Sequence, residues 1–146
     1  MTEPNCFKIT PPIAEPIPFI LSIPHCGIKF PEKLKHKYKE DFIKNPDDTD
    51  WFLDMLYDFA PELGITTIAA KYSRWVIDLN RDPENKSLYD DGRIITSLCP
   101  TTNFLGDSIY HSNQEPSLKD IENRLEKYYW PYHNKINKLI NEKKDF

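Results

Sequence analysis

The chain has 146 residues, enough for one domain with a buried core, and 39% of them are apolar. Its 19 basic and 23 acidic residues leave a net charge of −4 without a long basic run, which argues against nucleic-acid binding and favours a small-molecule ligand. No apolar run is long enough to span a bilayer and the polar start carries no signal peptide, so the sequence predicts a cytoplasmic location without membrane attachment.

The amino-terminal part predicts an arm followed by a strand. Four prolines within residues 1–17 predict an extended arm without regular structure. The apolar run at residues 18–24, bounded by prolines, predicts a buried strand that delivers His25 to its exit, with Gly27 allowing close backbone approach. His25 is a candidate metal ligand, although a histidine beside a proline is more often structural.

Residues 45–64 combine an acidic cluster with a predicted amphipathic helix. The apolar residues of this helix recur at i, i+3, i+4 and i+7 and predict a face that packs on the sheet: Phe52, Met55, Leu56 and Phe59. Asp47, Asp48 and Asp50 precede the helix, where one carboxylate is enough to cap its amino terminus. At least one of the three then remains for a cation, so capping and metal binding both stay open.

Two further strands and a second polar cluster follow. Residues 65–70 and 74–79 have the β-branched and aromatic content of strands, and the link between them is too short for a helical crossover. Asn80 and Arg81 lie at the carboxyl end of the second strand, where open α/β sheets place ligands. A guanidinium there has the shape to hold a carboxylate; the alternative is a surface ion-pair cluster.

The remaining chain predicts a long loop and a carboxyl-terminal helix. Two short β-like pieces, residues 93–97 and 108–110, predict a hairpin over the site. Ser117 opens the last helix with a weak capping box, and Pro131 predicts a kink or two abutting helices.

The alternation of helices and strands predicts an α/β fold with a largely parallel or mixed sheet. The length predicts that residues 1–146 form a single domain.

Five motifs, in matching order and spacing, resemble one enzyme family. They are PHCG at 24–27, DDTDWFLDMLY at 47–57, YSRWVIDLNRDP at 72–83, LCPTTNFLGDSIY at 98–110 and RLEKYYWPYH at 124–133. From about residue 18 to the end, the chain resembles the N-formylglutamate amidohydrolase family. The resemblance implies a three-layer α/β/α sandwich around a mixed sheet, of the phosphorylase/hydrolase-like kind shared with carboxypeptidases and aspartoacylases. It also implies Zn²⁺-dependent hydrolysis of the formyl amide of N-formyl-L-glutamate, a step of histidine degradation.

The resemblance also implies roles for the metal and its acids. His25 would be a zinc ligand, and an aspartate of the acidic cluster would be the second, with Asp50 preferred. The related carboxypeptidase-like enzymes carry His-x-x-Glu, but Ile28 stands three residues after His25, so the acid must come from elsewhere. Asp48 would be the catalytic acid that moves the proton.

The resemblance implies a substrate-binding set as well. Asn80 and Arg81 match the Asn-Arg pair that holds the substrate carboxylate in the related enzymes, and Arg74 would assist. Asp78 would orient one of these arginines. The implied ligand is a small N-acyl amino acid.

The chain departs from the family pattern at its carboxyl end. Family members are longer, and an Asp-x-His-Ser strand after the PYH helix carries the histidine that is expected to complete the zinc site. This chain ends at Phe146, and His111 and His133 are not in the matching place. We therefore expect a fold that is incomplete at the carboxyl terminus. It would be a truncated or split relative completed by a partner chain or a homo-oligomer, or else a non-catalytic carboxylate-binding module.

Overall fold

A three-stranded mixed sheet organises the chain in the computed structural model, which describes residues 5–86 and 97–144. In chain order the elements are β1 Phe7–Thr10, β2 Ile20–Ile23, α1 Glu32–Lys35, α2 Glu40–Lys44, α3 Leu53–Leu56, a 3₁₀ helix Ala60–Leu63, β3 Thr66–Ala70, α4 Leu118–Arg124, a π-helix Leu125–Tyr129 and α5 Trp130–Glu142.

The central strand β3 pairs on both sides. It is antiparallel to β1 and parallel to β2, in the order β1-β3-β2. Ile68, in the middle of β3, is completely buried, as expected for a strand with neighbours on both edges. The strands predicted at residues 18–24 and 65–70 are thus confirmed as β2 and β3, although only Ile23 of β2 is fully buried. The α/β class with a mixed sheet is confirmed as well.

The predicted arm is partly wrong. Within residues 1–17, β1 is a regular strand whose Phe7 is paired with Ala70 and buried. The alternation of Phe7 and Ile9 places apolar side chains on one face of the sheet, and this pattern outweighs the nearby prolines.

The strand predicted at residues 74–79 is not formed. Residues 74–76 form a turn, in which the N–H of Val76 donates to the carbonyl of Ser73 (2.9 Å). Trp75 and Val76 are fully buried in this turn. The β-branched and aromatic residues here therefore reflect burial rather than strand pairing, which composition alone does not distinguish.

The amphipathic helix predicted within residues 45–64 is short, and its apolar face does not pack on the sheet. Phe52 precedes α3 with a left-handed backbone (φ 60°), and no side chain caps the helix. Phe52, Met55 and Leu56 are all exposed, because none of the elements in the described ranges covers them.

The carboxyl-terminal helices lie against the sheet, and they show both the predicted capping box and an interruption near Pro131. Ser117 and Asp120 form a complete capping box at the start of α4. Pro131 lacks an N–H and would clash in a continuous α-helix, and the π-helix immediately before it joins α4 to α5.

Within residues 5–86 and 97–144, two apolar clusters form the core. The first lies between the sheet and the carboxyl-terminal helices and includes Ile68 and Tyr132, and the second surrounds Trp75 and Tyr38. Tyr72 and Tyr128 contact both clusters, with their rings 5.2 Å apart.

The predicted hairpin lies only partly within the described residues. Residues 93–96 lie outside the described residues, and Ser108 and Tyr110 form isolated bridges to Thr102 and Tyr38 instead of a strand. Among the described helices, none is long and apolar enough to cross a membrane.

Candidate functional site

Four groups converge on the carboxylate of Asp78, which is completely buried. His25 Nε2 lies 2.7 Å from Asp78 Oδ1, and Arg74 Nη2 donates to Oδ2 over 2.8 Å. The backbone N–H of Asn80 donates to Oδ1 (2.8 Å), and Arg81 Nη1 lies 4.0 Å from Oδ2. The site is therefore arranged around the Asp78 carboxylate, which lies in the interior on the segment that follows β3.

The environment keeps this carboxylate ionised. Burial by itself raises the pKa of Asp78, but the hydrogen bond from His25 and the charges of His25 and Arg74 outweigh it and lower the pKa to about 2. An ionised carboxylate only accepts hydrogen bonds, so the His25 nitrogen that faces it carries a hydrogen.

The other face of the His25 ring is turned toward Asp50. His25 Nδ1 lies 3.7 Å from Asp50 Oδ2, and the backbone N–H of Asp50 donates to the His25 carbonyl (3.0 Å). The histidine is buried, whereas about half of the Asp50 side chain is exposed. The structure thus brings together the two residues that the sequence predicts as metal ligands.

This pair satisfies part of what a zinc ion requires. Metal-bound histidines commonly donate their second ring nitrogen to a carboxylate, and Asp78 is placed for that role beside His25. Zinc sites use at least three protein ligands, however, and residues 5–86 and 97–144 hold no group of three His, Cys, Asp or Glu able to bind a metal. The described donors therefore fit two positions of a zinc site.

Asp48 is held away from solvent by two loops. The Trp75 indole N–H donates to Asp48 Oδ2 (2.8 Å), and the backbone N–H of Phe104 lies 3.1 Å from each carboxylate oxygen. Since α3 has no side-chain cap, the capping interpretation of the acidic cluster is wrong for this helix. Asp48 joins two loops, and its role in proton transfer stays a prediction.

The predicted substrate-binding residues lie at different depths. Arg74 is buried and its guanidinium carbon lies 4.9 Å from the centre of the Phe104 ring. Asn80 is exposed and Arg81 partly so, which places both at the surface of the site. Because Asp78 is completely buried, the alternative of a surface ion-pair cluster is wrong for this residue.

Two residues of the π-helix and α5 fix the turn that carries Asn80 and Arg81. The Tyr129 hydroxyl donates to the Arg81 carbonyl, and His133 Nε2 donates to the Leu79 carbonyl, both over 2.9 Å. Their rings also contact each other, with centres 4.3 Å apart. His133 therefore connects α5 to the turn that precedes Asn80 and Arg81.

The role of Phe104 is not foreseeable from the residues. Its backbone N–H binds Asp48 while its ring packs on Arg74, so one loop residue joins the acidic cluster to the arginine. A single phenylalanine in a loop belongs to no periodic pattern. The only sequence signal for a role of Phe104 is therefore its position within the motif at 98–110.

The mixed sheet, with a candidate site at its edge, defines the class of protein as an α/β domain. Comparison with known proteins identifies its family. The model of the N-formylglutamate amidohydrolase family matches residues 17–146. The chain belongs to this family.

Two curated relatives support the assignment. An N-formylglutamate deformylase of Pseudomonas putida is 36% identical over 124 residues, covering 85% of this chain and 45% of the relative. One from Pseudomonas aeruginosa is 38% identical over 120 residues, covering 82% of this chain and 44% of the relative. The chain thus spans less than half the length of these curated relatives.

Solved structures confirm the fold. The crystal structure of N-formylglutamate amidohydrolase from Ralstonia eutropha JMP134 superposes with a TM-score of 0.72 and 21% identity, covering 96% of this chain and 53% of that one. The gene product Atu2144 from Agrobacterium tumefaciens gives 0.74 and 18%, covering 98% and 52%. Both solved chains are about twice as long as the part that matches.

Proposed function

We propose that this chain supplies the carboxylate-binding residues and part of the zinc site of an N-formylglutamate amidohydrolase. The reaction is hydrolysis of the N-acyl amide of an acidic amino acid to the free amino acid and a carboxylate. The observation that carries the proposal is the convergence of His25, Arg74 and Arg81 on the buried carboxylate of Asp78. The N-formylglutamate deformylases at 36% and 38% identity support the substrate class.

Asn80 and Arg81 form the substrate-facing part of the site. A guanidinium donates two parallel hydrogen bonds to a carboxylate, and the neighbouring amide of Asn80 adds a further donor. Arg74 is already bonded to Asp78 and packed on Phe104, so its role is to hold Asp78 in place. The carboxylates of an N-acyl acidic amino acid then bind at the Asn80–Arg81 turn.

His25 and Asp50 would hold the metal together with a donor outside the described residues. When bound, zinc makes a water nucleophilic at neutral pH and polarises the amide carbonyl. Asp78 fixes the His25 ring so that Nδ1 points toward Asp50. His25 Nδ1 and the Asp50 carboxylate therefore lie next to each other before a metal binds.

A second candidate function is a non-catalytic carboxylate-binding module. It is favoured because the described residues contain no group of three His, Cys, Asp or Glu side chains that could hold a metal. In this case the Asn80–Arg81 turn binds carboxylates without any metal.

Calorimetric titration of the purified chain with N-formyl-L-glutamate, with and without zinc, separates the two candidates. We expect binding that is lost in Arg81→Ala and kept in the control Lys119→Ala, which removes an exposed lysine on α4. We expect zinc binding that is lost in His25→Ala and kept in His36→Ala, where an exposed histidine is replaced.

Formate release is then measured under the same conditions. Hydrolysis by the chain contradicts the binding module. Carboxylate binding that persists without stoichiometric zinc binding or formate release contradicts the hydrolase. If Arg81→Ala binds N-formyl-L-glutamate as well as the unmodified chain, both functions lose their substrate-binding residue.

A further inference from the structure

The segment that follows the acidic cluster exposes an unusual number of large apolar side chains. We call these residues the α3 face: Trp51, Phe52, Met55, Leu56, Phe59 and Leu63. Their exposed fractions lie between 40% and 68%. Single exposed apolar residues are ordinary, but a group of this size on one segment marks an interaction surface.

The α3 face has the pattern of a packed helix. Its residues recur at helical spacing, whereas Leu53, Tyr57 and Ala60 point toward the rest of the chain and are partly or fully buried. The segment therefore already has one buried side. A second apolar side on the same segment indicates that a further polypeptide segment, outside the described residues, packs there.

Acidic residues border this face. Asp54, Asp58 and Glu62 are exposed and interleaved with its apolar residues, in a chain whose net charge is −4. Two copies of the chain that meet through this face would bring these acids together, which costs free energy. A partner with an apolar centre and a basic rim fits better than a second copy.

The lengths of the relatives indicate what that partner is. Both solved structures align over nearly all of this chain and over 52–53% of their own length, so about half of each solved chain lies outside the equivalent region. The unmatched half of these proteins is therefore the candidate occupant of the α3 face. The α3 face begins one residue after Asp50, whose N–H bonds to the His25 carbonyl, so an occupant of the face lies beside the candidate site.

We infer that the α3 face is the docking surface for a polypeptide equivalent to the half of the N-formylglutamate deformylases that this chain does not match. β2 supports the inference, because only one of its edges is paired among the described strands and the other is open to a further strand. The inference concerns association alone and holds whether or not the assembled site is catalytic.

The test is co-expression of the tagged 146-residue chain with the part of the Pseudomonas putida deformylase outside the aligned 124 residues. We expect that part to co-purify at a 1:1 ratio, as measured by light scattering. The double variant Met55→Asp/Leu56→Asp should weaken the dissociation constant at least tenfold, because it places charges in the centre of the face. The control Leu105→Asp/Leu118→Asp changes two residues that are 81% exposed elsewhere and should leave binding unchanged.

Several results overturn the inference. If light scattering shows a homodimer of the chain and Met55→Asp/Leu56→Asp abolishes that dimer, a second copy of the chain occupies the α3 face. Equal retention of the partner by both double variants moves the docking surface elsewhere. A partner half that stays insoluble during co-expression, or soluble without co-purifying, also overturns it, because docking would both shield and retain that half.

The face is also tested on the chain alone with a dye that fluoresces on apolar surfaces. We expect the unmodified chain and the Leu105→Asp/Leu118→Asp control to bind the dye. Met55→Asp/Leu56→Asp should bind much less. Equal dye binding by all three shows that the α3 face is not the exposed apolar surface.

Discussion

At the scale of single residues, Asp78 determines how the site is arranged. Its carboxylate accepts hydrogen bonds from the His25 ring, the Arg74 guanidinium and the Asn80 backbone, so it joins the metal-side and substrate-side residues. The family resemblance implies that Asp78 orients an arginine, and the hydrogen bond from Arg74 agrees with this. The sequence did not predict the bond to His25, because the two residues are 53 positions apart and only the fold brings them together.

Asp78→Asn should destabilise the chain by about 3 kcal/mol, because the substitution leaves the buried Arg74 charge without its anion. Urea unfolding followed by circular dichroism measures the change. Asp58→Asn, at an exposed position, is the matched control and should stay within about 0.5 kcal/mol of the unmodified chain. An unchanged midpoint for Asp78→Asn contradicts the importance of the ion pair.

Gly27 is required for close packing of two backbone segments. A Cβ at this position would lie 2.2 Å from the carbonyl oxygen of Tyr72, and backbone cannot move aside as a flexible side chain can. We expect Gly27→Ala to lower the free energy of unfolding by more than about 2 kcal/mol. The measurement is thermal or urea denaturation.

Gly106→Ala is the control for this prediction. A Cβ there meets nothing within 4 Å, and only its left-handed backbone (φ +89°) opposes the substitution. The expected loss is about 1 kcal/mol. If Gly106→Ala costs more than Gly27→Ala, steric exclusion at Gly27 is not the dominant effect.

At the scale of elements, the sequence could predict the strands that have apolar runs and the helix that has a capping box. It could not predict the segments whose conformation depends on tertiary contacts. β2 and β3 follow from local composition, and the Ser117 capping box follows from two residues three positions apart. Residues 74–79 have the composition of a strand, but residues 74–76 form a buried turn, and Arg74 lies 2.8 Å from Asp78. Local propensity carries no information about that ion pair.

The contact between α5 and the turn at residues 79–81 should make stability depend on pH. Burial lowers the pKa of His133 from its usual 6.5, and the hydrogen bond to the Leu79 carbonyl only partly offsets this. The folded chain therefore binds a proton at His133 less readily than the unfolded chain. This contribution to stability is complete above the unfolded pKa and is lost as the pH falls below it toward the folded pKa.

Urea titrations at about pH 7.5 and about pH 5 measure this difference. The free energy of unfolding should be smaller at the lower pH, and His133→Gln should reduce that pH dependence. His111→Gln replaces an exposed histidine and should leave the pH dependence as it is. If both variants depend on pH as the unmodified chain does, His133 is not the responsible group.

At the scale of the whole molecule, the Tyr72–Tyr128 contact joins two cores into one unit. Each ring contacts both apolar clusters, so neither cluster can separate without exposing these side chains. The sequence could predict the class of fold and the family, because these depend on motifs and apolar runs. It could not predict the exposed α3 face, since the helical spacing of its residues specifies that they are covered but not by which polypeptide.

We expect the two clusters to unfold in a single transition. Trp75 is fully buried in the second cluster and reports on it by fluorescence, whereas far-UV circular dichroism reports on α4 and α5 beside the first. In a Trp51→Phe/Trp130→Phe background, which isolates the Trp75 signal, the two urea curves should coincide. Tyr128→Ala should separate them, and curves that are already separate in this background contradict the coupling.

The π-helix at Leu125–Tyr129 has a consequence for how insertions and deletions are tolerated in this part of the chain. Removing one residue from it would restore α-helical winding and rotate everything downstream by about 100°. Tyr132 would then turn away from Ser22, and His133 from the Leu79 carbonyl. A change in length that is silent in most surface loops would here detach α5 from both the sheet and the site, so the spacing between Arg124 and Pro131 is as constrained as the identity of the residues within it.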